Sequence, residues 1–179
     1  KALEVCQKHG MTTDEMETLA DFAWAKWFTP MTREEAVRFY EEAIARAREV
    51  GDKGAESHIL SMKGFYLGTL GYRYEGHKIG VEAEAMALES GSPRSIAGAR
   101  VMLALAERWL GRPDKTLELT EGVTDAFSKM FNLNELSGLI FIRGLSLAEI
   151  GRIEDAFAAL KHGIDLCEKL GGAVHLGRL

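Results

Sequence analysis

The chain has 179 residues, 46% apolar and 27% charged, a balance that suits a folded protein and excludes low-complexity disorder. The formal net charge is −5 with acids and bases interspersed, so the basic stripe that marks nucleic-acid contact is missing. Two distant cysteines, Cys6 and Cys167, exclude a disulfide framework and fit buried free thiols in a reducing cytoplasm; no signal-peptide pattern and no membrane-length apolar run is present.

In chain order, the pattern first predicts a partial helix over 1–9, closed by Gly10. Thr12 and Glu15 have the spacing of a capping box and open a helix over 12–28. Thr32 and Glu35 repeat that spacing at the head of a helix over 32–50. In it Ala36, Val37, Tyr40, Ile44, Ala47 and Val50 recur in steps of three and four, the mark of one apolar face. Gly51 closes it, as Gly91 and Gly171 close later helices, because glycine accepts the left-handed conformation of a helix end. Helices over 54–70 and 73–90 follow. In the second, His77, Gly80 and Glu84 stand where apolar residues are expected, and the apolar face turns onto Ile79, Ala83, Met86 and Ala87. Ser92 and Pro93 give a cap and a first-turn proline to a helix over 93–110. A helix over 113–131 has its apolar face interrupted by Thr120 and Thr124. Helices over 134–150 and 152–170 complete the series, the latter with Ile153, Ala156, Phe157, Leu160, Ile164, Cys167 and Leu170 on one face. A further helix begins near 174. Nothing alternates with a period of two, so no strand is expected.

A period of forty underlies this series. The turns at Gly71, Gly111 and Gly151 are that far apart, and Met31 precedes them by the same step. Small residues keep the register too: Gly64, Ala104 and Gly144 in the first helices, then Ala36, Gly76, Thr116 and Ala156 in the second. Within each pair the two stand twelve residues apart, where the helices should cross and where a larger side chain would cost about 1–3 kcal/mol in overpacking.

The pattern resembles the tetratricopeptide repeat, with a glycine late in the first helix and an alanine early in the second, met here by Gly144 and Ala156 with large apolar Leu147 and Leu160. The resemblance implies an all-α fold: a right-handed superhelical solenoid of antiparallel helix pairs, about four pairs (12–50, 54–90, 93–131, 134–170) plus partial flanking helices at 1–9 and 174–179, in one array across the chain. Two departures stand out. The period is forty where the family has about 34, and Trp24 replaces the small residue of the opening pair. The stretch Leu166-Cys167-Glu168-Lys169-Leu170-Gly171-Gly172, with His175-Leu176-Gly177-Arg178-Leu179, is also similar to repeat arrays of large bacterial ATP-binding transcriptional activators and of nucleotide cyclases. It implies a regulatory or sensor domain of such a protein as the alternative function, the chain being a piece of a longer one.

The leading expectation is a non-catalytic cytoplasmic scaffold that binds a peptide or partner protein on the concave face formed by first helices. Residues beside the crossing positions should line it: Asp21, Ala25, Ser61, Phe65, Val101, Leu105, Arg108, Phe141 and Leu145. Phe65, Leu105 and Phe141 could receive an apolar peptide face, with Arg108 orienting an acidic group, although the three also fit an ordinary core between stacked pairs. Trp24, Trp27 and Phe28 form an aromatic cluster suited either to core beneath the 1–9 helix or to an interface. His9, His58, His77, His162 and His175 lack metal-binding spacing, and the run Gly64, Gly68, Gly71, Gly76 and Gly80 fits helix crossing better than a phosphate loop. No enzyme, cofactor, metal, direct nucleic-acid contact or membrane contact is expected. Self-association through the unpartnered helices at 1–9 and 174–179 is a further possibility.

Overall fold

The computed structural model describes residues 32–124 and 133–169, which hold seven α-helices and no strand. They are α1 (Arg33–Val50), α2 (Lys53–Thr69), α3 (Arg73–Ser90), α4 (Pro93–Trp109), α5 (Pro113–Leu119), α6 (Leu133–Glu149) and α7 (Ile153–Lys169). None is long and apolar enough to cross a membrane. The expected helices over 1–9, 12–28 and 174–179 fall outside the described residues, as do the side chains of Cys6 and Cys167.

Helix starts follow local chemistry. Thr32 accepts from the Glu35 amide while Glu35 reaches back to the Thr32 amide, so two of the first-turn donors of α1 are satisfied. Asp52 caps α2 through the Ala55 amide, and Ser92 caps α4 ahead of Pro93. Gly51, Gly71, Gly91, Gly111 and Gly151 all take positive φ, which lets each helix turn back within two or three residues.

The expected helix over 113–131 is corrected. α5 stops at Leu119, and a turn over Thr120–Gly122 interrupts it, with Gly122 at φ 70°. Threonine chemistry accounts for the break. Thr120 donates its hydroxyl to the Thr116 carbonyl at 2.7 Å, and the amides of Glu121 and Val123 reach back only three residues, tightening the coil.

Each helix packs on the next, α2 also packs on α4, and α4 touches α6. The α2–α3 crossing is an approach of bare backbones. A Cβ built on Gly64 would lie 2.8 Å from the Gly76 carbonyl oxygen, and one on Gly76 would strike Gly64 in return. The same twelve-residue step recurs in α4 and α5, where Thr116 donates to the Ala104 carbonyl at 3.0 Å. In α6 a Cβ on Gly144 would meet Leu160 of α7 at 2.8 Å.

The core has two parts. One gathers Tyr40, Ala43, Ile44 and Ala47 of α1 with Ile59, Leu60 and Tyr66 of α2 and Ala83 of α3. The other gathers Ala97, Val101 and Ala104 of α4 with Val123 and with Leu136, Leu139, Ile140 and Ile142 of α6. Ile79 and Met86 pack against the first part and Ala87 is fully buried, so the turned apolar face of α3 is seen as expected. The polar residues that displaced it serve another contact. His77 bonds Glu107 at 2.8 Å, Glu84 pairs with Arg100 at 3.0 Å, and Gly80 receives Leu103, all toward α4.

Candidate functional site

The layer of α2, α4 and α6 carries the residues expected to bind a partner. A row of half-exposed positions runs along it in the forty-residue register. It holds Met62 and Phe65 on α2, Met102, Leu105 and Trp109 on α4, and Leu145 on α6. The Phe65 and Trp109 rings meet with centroids 5.4 Å apart and planes tilted by 31°, an arrangement favoured by their quadrupoles. Trp109 also lies flush on Gly68, where any Cβ would run into the indole. Gly68 is therefore a seat for an aromatic ring.

The structure divides the expected residues. Phe65, Leu105 and Leu145 are half-buried; Phe141 is 41% exposed. Arg108 pairs with Glu149 and so bridges α4 to α6, while its Nε is buried without a hydrogen-bond partner. Two expectations are corrected. Ser61 is 2% exposed and donates to the Ser57 carbonyl at 2.8 Å; Val101 is 4% exposed inside the second core cluster. Both face the interior because the crossing of α2 with α3, and of α4 with α6, turns these positions inward. Asp21, Ala25 and the cluster of Trp24, Trp27 and Phe28 lie outside the described residues.

Sequence reading missed Trp109, Met62 and Met102. The register gave no signal for Trp109, because its counterparts forty residues away, Thr69 and Glu149, are both polar. The two methionines are one turn from Phe65 and Leu105 and supply soft, adaptable apolar surface.

Electrostatics on this layer are mild. On α6 itself, burial holds the Arg143 guanidinium below its ordinary value, and it donates to the Leu117 carbonyl at 3.2 Å and the Thr120 hydroxyl at 2.8 Å. Those bonds fasten α6 to the irregular end of α5. Among the described residues, no group of three histidine, cysteine or acidic side chains is placed to hold a metal ion. A shallow depression over Gly151–Asp155 is lined by an exposed turn, with Arg152 paired to Asp155 at 2.6 Å. What the α2–α4–α6 layer offers chemically is an apolar, aromatic-edged strip with one ion pair at its side.

Compared with known proteins, the chain matches no family model and no curated protein.

Proposed function

We propose that the chain is a non-catalytic protein-interaction scaffold, a right-handed solenoid of helix pairs like a tetratricopeptide array, that takes a peptide or partner protein on the face of α2, α4 and α6. The observation that carries this reading is the unequal packing of two layers. α2 packs on α4 and α4 touches α6, whereas among the described residues no extensive contact joins α1, α3, α5 and α7 to one another. A stack whose one layer is closer-spaced than the other bends toward the closer layer, which makes α2, α4 and α6 the inner wall of a curve. The half-exposed Phe65, Leu105, Trp109 and Leu145, with exposed Phe141, then supply the buried anchors that partner binding draws on.

Peptides selected against the chain from a display library provide the test. Phe141→Ala should weaken the selected peptides about tenfold, or ~1.4 kcal/mol, while the melting temperature stays within a degree or two, because the ring is exposed. Parallel loss of binding and stability would make Phe141 core and remove it from the site. Selected peptides indifferent to both Phe141→Ala and Phe65→Ala would place binding away from this face.

A further inference from the structure

The outward face of α3 sets it apart from its counterparts. Tyr74 is 79% exposed, Val81 46% and Leu88 50%, and these stand seven residues apart. With Lys78 and Ala85, also exposed, they form a line in steps of four and three, the spacing of a coiled-coil seam. Opposite this line, Gly76, Ala83 and Ala87 face the core, so the seam is the solvent side of the helix.

The forty-residue register supplies an internal control. The positions of Tyr74, Val81 and Leu88 correspond in α1 to Glu34, Glu41 and Arg48, all exposed. They correspond to Asp114 and Glu121 at and just after α5, and in α7 to Glu154, Lys161 and Glu168, again all exposed. By sequence every counterpart is charged except the one forty residues after Leu88, Ser128, which is polar. Only in α3 are they large and apolar, and three in a row at heptad spacing are not the scattered single apolar residues normal on a surface.

The flank of the seam identifies its occupant. Glu75, Glu82 and Glu89 stand one residue beyond Tyr74, Val81 and Leu88, an acidic row with the same seven-residue step. Glu75 is bonded by Arg33 and Glu89 by Lys53, both in exposed pairs of the kind worth little and readily exchanged. Arg48 is held charged chiefly by its hydrogen bond to Glu56, and Glu82 adds only a small attraction to it. A second copy of the chain laid on this seam antiparallel would set glutamate row against glutamate row, and laid parallel it would set the row against Glu84, which like-charge repulsion opposes. A helix with lysine or arginine beside its apolar stripe meets both features at once. Lys78, within the seam, can lay its methylene stem along such a helix and keep its ammonium at the edge.

We infer that the outer face of α3 is a second docking surface, which takes an amphipathic helix with a heptad apolar stripe flanked by basic residues. It lies on the layer opposite to α2, α4 and α6 and needs nothing from that face.

The test uses the whole chain and a helix-forming peptide of about three heptads with leucine at the seam positions and lysine beside them. Fluorescence anisotropy should show binding at least tenfold tighter than for the same seam flanked by glutamate, or for a lysine-rich peptide with serine in the seam. The triple variant Tyr74→Gln, Val81→Gln, Leu88→Gln should lose that binding tenfold or more, with unchanged circular dichroism. Should the triple variant fail to fold, the single V81K, which puts a cation in the seam, should lower binding in the same direction. Phe141→Ala should leave it untouched, which separates this surface from the inner one. Equal affinity for lysine- and glutamate-flanked peptides, equal binding by wild type and variants, or no binding by any peptide would overturn the inference. So would a dimer, seen by light scattering, that the triple variant abolishes, because the occupant would then be a second copy.

Discussion

At the α2–α3 crossing, Gly64 and Gly76 hold two backbones closer than any side chain permits. Alanine at Gly64 would have to push carbonyl and amide atoms apart, with no flexible side chain to yield. Gly64→Ala should therefore destabilise the chain by about 2–3 kcal/mol or more, at the upper end for overpacking. Gly98 in α4 is the contrast: its added Cβ meets nothing within 4 Å, so Gly98→Ala should stabilise by roughly 0.5–1 kcal/mol through helix propensity. Urea denaturation of both variants checks the pair, and equal signs would show that the crossing is looser than described. The crossing glycines were legible because a missing side chain repeats in register. Trp109 on Gly68 was not, since a half-buried aromatic at the end of a helix looks the same in sequence whether it seats on a neighbour or faces water. Ser61 and Val101 were misplaced for a related reason: spacing alone locates a face of a helix and says nothing of a third helix covering it.

Individual helices were legible from caps and glycines because those signals are local. α5 was the exception. Thr120 and Thr124 read only as a weakened apolar face, while the Thr120 hydroxyl, bonded to the Thr116 and Leu117 carbonyls, ends the helix. Between helices, an exposed ion pair gives a clean pH signature. Lys53 of α2 donates to Glu89 of α3 at 2.9 Å, which holds the Glu89 carboxyl below its ordinary 4.5 and the Lys53 ammonium above its ordinary 10.5. A depressed carboxylate contributes stability above its unfolded value and loses it as pH falls through the folded one. A raised ammonium contributes below its unfolded value and loses it as pH rises further. The bridge thus acts between these limits. The melting-temperature gap between wild type and Lys53→Met should be small near neutrality, shrink in high salt, and vanish in acid once the Glu89 carboxylate is protonated in the folded chain. A gap that persists in acid would mean that the lysine stem, rather than its charge, holds the helices.

Among the described residues, the two core clusters are joined through the packing of both α2 and α3 on α4. Trp109 against Phe65 and Gly68, Leu103 against Gly80, and the His77–Glu107 bond connect α2 and α3 to α4. Trp109→Ala should cost about 2–3 kcal/mol, under the range for a fully buried ring because this one is half-exposed. It should also let α1–α3 and α4–α6 exchange their amide hydrogens at different free energies, whereas wild type should lose protection in both together. One common value in the variant would mean that the remaining contacts suffice to couple the halves. The left-handed glycines at 51, 71, 91 and 111 recur every twenty residues, and Gly151 follows at twice that step. Each segment therefore needs to find only the next one or the one after it. Partners as near as Ala104 and Thr116 are 12 residues apart, and the distant pair of Arg33 and Glu75 only 42. Loop-closure entropy stays low for such a chain, contact order is small, and folding can begin at any helix hairpin and spread both ways on a fast timescale.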